Sequence, residues 1–225
     1  MNVFPIYLNR LNDKRTIDIG GDDEAERKVN ELLFCKANVT VIGPALNNNL
    51  QIRHAKDHFQ WISRNYMHGD LKGAFLVIVA DYGNTKTQEI FEEADNLGIL
   101  INVMDDIPHC NFTFGSMVKR GPLTISISTS GAAPTMAVRL RERFENEFGE
   151  EYESLLKFMK ALRNPVKNTF PDFKTRKQKW YKLVDSGILD YYRQNDLDKV
   201  YERASSIMGK EVVQKALNLL VEESG

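Results

Sequence analysis

The chain has 225 residues and 25.8 kDa, with 42% hydrophobic and 27% charged residues, and 30 basic against 31 acidic side chains for a net charge of −1. That length suits one medium domain, or one of about 150 residues with a smaller appendage. The composition is too apolar for a disordered chain, and the balanced charge selects neither nucleic acid nor an anionic membrane as a partner.

The opening M-N-V-F-P-I-Y-L-N-R has neither the basic lead nor the long apolar core of a secretory signal. The longest apolar run, residues 73–80, is far shorter than the ~20 residues of a membrane-spanning helix. Cys35 and Cys110 lie far apart without C-x-x-C spacing. That pattern argues against a disulfide framework or a zinc site and fits a reducing cytoplasm.

In chain order, β-branched runs predict strands at 14–19, 39–43, 75–80, 99–104 and 123–128. Helical spacing of apolar residues marks 23–36 and 85–97 between them. The runs 75–80 and 99–104 are almost wholly apolar, as strands buried on both faces should be. A further strand near 59–63 is weakly marked, and Asn47-Asn48-Asn49 reads as a loop. Strand alternating with helix implies βαβ units and an α/β, Rossmann-like doubly wound parallel sheet. After Phe148 no strand-like run follows, and Asn164-Pro165, Phe170-Pro171, Ser186-Gly187 and Gly209 break the remainder into short helices. The expected division is 1–148 for the nucleotide-type domain and 149–225 for a small all-α C-terminal domain.

The first strand runs into T-I-D-I-G-G-D-D-E-A-E-R-K. A dinucleotide fold places Gly-x-Gly-x-x-Gly/Ala here, for a tight turn, a close approach of backbone to pyrophosphate, and donors from the helix N-terminus. Gly20 and Ala25 match the outer positions, and Asp22 stands where the middle glycine would be. A carboxylate there obstructs and repels phosphate. The same residues also read as a plain βα turn in which Asp22, Asp23 and Glu24 cap the helix and complement its dipole. The second strand ends in V-T-V-I-G-P, with no acid to hold an adenosine ribose.

Several segments, taken together, resemble the precorrin-2 dehydrogenase/sirohydrochlorin ferrochelatase family, whose members also form the front half of siroheme synthases. F-P-I-Y-L-N-R-L is similar to the family's P-L-F-L-x-L start, and G-G-D-D-E-A-E-R-K-V to its G-G-G-x-V-A-x-R-K turn. D-L-K-G-A-F-L-V-I-V-A-D resembles the lead into its fourth strand. I-L-I-N-V-M-D-D-I-P-H-C-N-F resembles N-V-x-D-x-P-x-x-C-x-F with the proline one place later. G-P-L-T-I-S-I-S-T-S-G-A-A-P-T-M-A-V-R-L-R-E-R-F-E follows its S-T-G-G-x-S-P block, with Ser130 and Ala133 as differences. Asp18 also departs from the family, which has an apolar strand residue there.

The resemblance implies oxidation of precorrin-2 to sirohydrochlorin with NAD in siroheme or cobalamin biosynthesis, by a cytoplasmic homodimer with a dimerisation segment after residue 105. Metal insertion, with Fe2+ or Co2+ as cargo, belongs to some members. Asp105 matches the acid/base position, with Asp106 its neighbour, and Gly20, Gly21, Asp22, Asp23, Glu24, Pro44 and Ala45 match the NAD-contacting positions. The alternative is a tetrapyrrole-binding or chelatase-like protein of the same fold that has lost NAD.

At the carboxyl end of a buried parallel strand, Asp105 lies where such sheets bind ligands, although Asp105-Asp106-Ile107-Pro108 also reads as a simple turn. The implied substrate carries eight carboxylates, for which Arg27, Lys28, Lys119, Arg120, Arg139 and Arg141 are cations near the active edge, although any one of them taken alone reads better as part of a solvated helix face. Thr129 counts with them as a substrate contact, although hydroxyls before a helix starting near Ala133 also cap it. Residues 157–182 hold nine basic side chains against Asp172, interleaved with Phe158, Phe170, Phe173, Trp180 and Tyr181. Core aromatics under a charged surface rank first there, a tetrapyrrole wall second, and nucleic acid third. His54 and His58 would share a face of a helix, but they lack the Glu of H-E-x-x-H, so a solvated surface is the better reading. Cys110 has no base partner and reads as packing.

Overall fold

The computed structural model describes residues 3–81 and 85–222. Contacts divide the chain into two compact units, Val3–Phe114 and the segment from Gly115 onward.

The first unit runs β1 (Arg15–Ile19), α1 (Asp23–Phe34), β2 (Asn38–Ile42), α2 (Asn48–His54), β3 (Gln60–Ile62), β4 (Leu76–Val79), α3 (Thr87–Asn96) and β5 (Leu100–Val103). The strands form one parallel sheet in the order β3-β2-β1-β4-β5, with Ile17 opposite Thr40 on one side and Val77 on the other. Alternation sends Ile17, Ile19, Val77, Val79 and Ile101 toward Ile90 and Ala94 of α3. Val39, Val41, Leu76 and Ile78 face Ala25, Val29 and Leu32 of α1 on the opposite side. Helices on both faces are what allow strands this apolar.

Two readings of this unit need correction or completion. Asn47 to Asn49 are not a loop: Asn47 Oδ1 accepts the Leu50 N–H at 2.9 Å, and Asn48 and Asn49 open α2. Asparagine is among the best N-caps, so a polar run can mark a helix start as readily as a turn. The weakly marked strand near 59–63 is β3, short because it pairs only with β2 at the sheet edge.

The second unit begins with β6 (Ser116–Arg120) and β7 (Leu123–Ile127). The run expected at 123–128 does not join the parallel sheet but pairs antiparallel with β6, Arg120 opposite Leu123. Only Gly121 and Pro122 connect them, whereas a parallel partner needs a crossover of a dozen or more residues. Gly121, at φ +52°, takes the left-handed turn.

Helices α4 (Pro134–Glu147), α5 (Glu151–Thr169), α6 (Phe173–Val184), α7 (Ile188–Arg193), α8 (Leu197–Met208) and α9 (Lys210–Glu222) follow. Their core includes Leu155, Phe158, Leu162 and Val166 from one stripe of α5, packed with Leu183, Val200, Ala204 and Val213. Asn164-Pro165 does not end a helix, since α5 continues to Thr169 with Pro165 buried. Burial along that stripe outweighs the ~3 kcal/mol a mid-helix proline costs. The expected breaks at Phe170-Pro171, Ser186-Gly187 and Gly209 do separate helices, with Gly187 and Gly209 at positive φ. The boundary read at residue 148 falls in the α4–α5 turn, whereas compactness divides the chain between Phe114 and Gly115.

One residue opposes the fold around it. Asp18, in the middle of β1 between Val41 and Ile78, is fully buried, and neither carboxylate oxygen has a hydrogen-bond partner among the described residues. Burial, then the charge of Asp22, push its pKa well above the usual carboxylate range, against the opposing pull of Lys28. From the unfolded value of about 3.9 up to the raised folded value, the native state binds the extra proton. Stability therefore falls as pH rises through that window. Asp18→Val should stabilise the protein by ~1–3 kcal/mol at pH about 8 and by less at pH about 5, read by urea unfolding. An equal gain at both pH values would contradict this origin.

Candidate active site

The winding of the sheet reverses at β1, so the helices diverge between β1 and β4 and leave a crevice at the carboxyl ends of the strands. It has a volume of about 600 Å³, and its walls include Gly20, Gly21 and Asp22 after β1, Pro44 and Ala45 after β2, and Tyr66. Two turns meet there through bare backbone. A Cβ on Gly21 would lie 1.9 Å from the Ala45 carbonyl oxygen, and one on Gly43 would lie 2.2 Å from that of Gly20. The Asn47 N–H donates to the Gly21 carbonyl at 2.7 Å, and the Trp61 indole to the Gly43 carbonyl at 2.9 Å. Glycine is required here by close approach, which is the use a dinucleotide turn makes of it.

Asp22 is the N-cap of α1. Its Oδ1 accepts the N–H groups of Glu24 and Ala25, both at 3.0 Å. These are among the donors a phosphate would use at a helix N-terminus, so the carboxylate stands in the anion position. Asp23 and Glu24 belong to the first turn of α1 rather than to the crevice wall: Asp23 accepts from Asn47 Nδ2 at 2.9 Å, and Glu24 pairs with Arg27. On the opposite wall, Lys86 Nζ donates to the Tyr66 carbonyl at 3.1 Å. The Tyr66 hydroxyl donates to the buried Glu93 carboxylate, and burial with this bond pushes the phenol pKa far up. Glu93 also accepts from Gly69 and Leu71 N–H groups at 3.0 and 3.1 Å, which ties the β3–β4 loop to α3.

Asp105 follows β5, next to β4, whose own carboxyl end leads into crevice residue Asp81. It is exposed at φ +56°, a left-handed conformation that aspartate tolerates better than most residues. Among the described residues it makes no recorded hydrogen bond or ion pair, so the carboxylate is free to meet a ligand. Asp106 instead contacts His109 Nδ1 at 2.8 Å, and His109 Nε2 lies 2.7 Å from Gln88 Oε1 on α3. His109 escaped the sequence reading, although Asp-x-x-His within one turn was its available signal. Cys110 accepts the Val103 N–H at 3.1 Å, and burial raises its thiol pKa, consistent with packing.

The expected substrate cations are placed unequally. Arg27 is ion-paired with Glu24 and with Glu31 at 3.0 Å. Lys28 is only 2% exposed, with its Nζ 3.6 Å above the Phe114 ring and 3.5 Å from Glu31, so it presents no charge at the surface. Desolvation lowers its pKa. In the second unit, Lys119 lies on β6, and Arg120 donates to the Glu145 carbonyl at 2.9 Å, binding the hairpin to α4. Arg139 and Arg141 pair with Glu142 and Glu145, each at 2.8 Å. Thr129 Oγ1 accepts the Ala133 N–H at 3.2 Å, the capping role its position suggests.

Within 157–182, Phe158 is core, while Lys160, Arg163 and Trp180 border a hollow of about 720 Å³. His54 ends α2, so His58 does not share its helix, and the His54 ring packs against Phe59 and Trp61. Among the described residues no group of three potential ligands could hold a metal ion, and no helix is long and apolar enough to cross a membrane.

Three family models match the chain in succession. They are described as "Putative NAD(P)-binding" over residues 8–116, sirohaem biosynthesis protein central over 120–147, and sirohaem synthase dimerisation region over 151–206. A siroheme synthase of Pseudoalteromonas translucida is 33% identical over 196 residues, covering 87% of this chain and 41% of that protein. One from Actinobacillus pleuropneumoniae is 33% identical over 183 residues, covering 81% and 37%. The chain thus spans about two fifths of the length of the curated relatives it matches. A solved structure titled SirC, precorrin-2 dehydrogenase, superposes with a TM-score of 0.71 at 20% identity over 96% of this chain and all of that one, which establishes the shared fold. With these models laid end to end along its strands and helices, the chain belongs to the siroheme synthase family.

Proposed function

We propose that this protein oxidises precorrin-2 to sirohydrochlorin with NAD, and that Asp105 is its acid/base. The observation that carries the reading is an exposed carboxylate at the end of β5, unpaired among the described residues, one strand along from a glycine-walled crevice at the switch point. The reaction removes two electrons and two hydrogens from the reduced tetrapyrrole. NAD, when bound, would supply the acceptor for one hydrogen as hydride. Asp105 takes the other as a proton, which an ionised carboxylate without a competing partner can do.

The crevice fits a dinucleotide in its backbone. Gly20, Gly21 and Gly43 keep side chains out of the turns, and Pro44 and Ala45 form the facing wall. Asp22 is the misfit: the phosphates must draw on α1 donors that its carboxylate already holds. Arg27, Lys119, Arg120 and Arg139 are the cations proposed for the substrate carboxylates, and Thr129 is proposed as a further substrate contact. A homodimer is proposed from the match of α5–α8 to a dimerisation region, and the cytoplasm as its compartment. Metal insertion would use the same Asp105 to take protons from pyrrole nitrogens, with Fe2+ or Co2+ as cargo.

The Asp22 cap also favours a second reading, a tetrapyrrole-binding or chelatase-like protein that has lost NAD. Precorrin-2 oxidation followed by absorbance, with and without NAD, separates the two. The dehydrogenase reading expects NAD-dependent turnover that drops about 10²–10⁴-fold in Asp105→Ala with the KM for NAD unchanged. Full activity in Asp105→Ala would reject the assignment, and tetrapyrrole binding without NAD-dependent oxidation would favour the second reading.

A further inference from the structure

Beside the Asp105 turn lies a hydrogen-bond chain that the reaction above leaves unused. His109 Nδ1 is 2.8 Å from Asp106 Oδ2, and an ionised carboxylate only accepts, so this nitrogen carries a proton. His109 Nε2 is 2.7 Å from Gln88 Oε1. The Gln88 amide cannot turn to reverse that bond without losing another, because its Nε2 donates to Glu92 Oε1 at 2.6 Å. The amide oxygen therefore faces the ring, and Nε2 of the histidine must donate as well. The ring meets that of Phe91, one turn along α3, in a T-shaped contact with centroids 5.4 Å apart. Backbone bonds His109 N–H to Asp106 C=O and Cys110 N–H to Ile107 C=O, both 3.1 Å, close the turn beneath it.

We propose that His109 acts as an imidazolium clasp, a positioning residue that fastens the Asp105–Asp106 turn to α3 through Asp106 and Gln88. The proposal rests on Asp105 being the acid/base and deepens that reading. Asp105 has no recorded partner of its own among the described residues, so its orientation is set by the turn that carries it. Of the titratable groups facing His109, Asp106 comes from its own turn, Glu92 reaches it through Gln88 of α3, and Asp105 shares the turn. A neutral imidazole can donate at one nitrogen only, so loss of the proton breaks one of the two ties and loosens the turn.

Ring-nitrogen NMR of protein labelled at its four histidines, with His109→Gln to identify the signal, reads the clasp directly. Protons on both His109 nitrogens at pH about 7 are expected, and a single protonated nitrogen would overturn the proposal. In precorrin-2 oxidation, His109→Gln and Gln88→Leu should lower kcat by about tenfold to a hundredfold with the KM for NAD unchanged. Gln88→Glu, which keeps the acceptor, should restore it. Equal kcat in all variants would overturn the positioning role. A wild-type protein that does not oxidise precorrin-2 would defeat the functional reading alone. The clasp would then stand or fall on the NMR signal and on faster hydrogen exchange of the His109 and Cys110 amides in Gln88→Leu.

Discussion

The turns after β1 and β2 touch through backbone alone, and the crevice depends on that contact. A side chain at Gly21 or Gly43 would run into a carbonyl oxygen and force the turns apart. With the turns in contact, α1 begins directly after the β1 turn, its N-cap Asp22 lines the crevice, and Pro44 and Ala45 line it as well. Everything proposed for the cofactor follows from this geometry.

Charge is then placed against that geometry. Asp22 supplies its own anion to the helix N-terminus, and capping of this kind is worth roughly 1 kcal/mol to the helix. The stabilisation is drawn from the donors that would bind phosphate. Asp18, two residues before the turn, is a second carboxylate where the family has an apolar residue, and it is buried without a hydrogen-bond partner among the described residues. The charge of Asp22 is one reason, after burial, that Asp18 resists ionisation. A near-neutral total of −1 conceals this local excess.

Much of the parallel sheet was legible because its strands are long apolar runs between amphipathic helices, and two-faced burial leaves that mark. The glycine turn and Asp105 were legible through spacing. Features set by tertiary context were not. Gly121-Pro122 turns a β run back on a partner too polar to announce itself, Ser116–Arg120. Pro165 stays inside α5 because its ring is buried with Leu162 and Val166. Lys28 reads as a surface cation but is covered by Phe114, a residue far along the chain. His109 gains meaning only when α3 brings Gln88 to its other nitrogen.

The central claim is that Asp22 holds the donors the cofactor phosphates need, and calorimetric titration with NAD of the wild-type protein and Asp22→Gly tests it most directly. Glycine is itself a fair N-cap, costing only a few tenths of a kcal/mol, so α1 should persist in the variant. The account predicts about tenfold tighter NAD binding by Asp22→Gly, ~1.4 kcal/mol, for the donors released and the repulsion removed. Equal or weaker binding by a folded Asp22→Gly protein would contradict it.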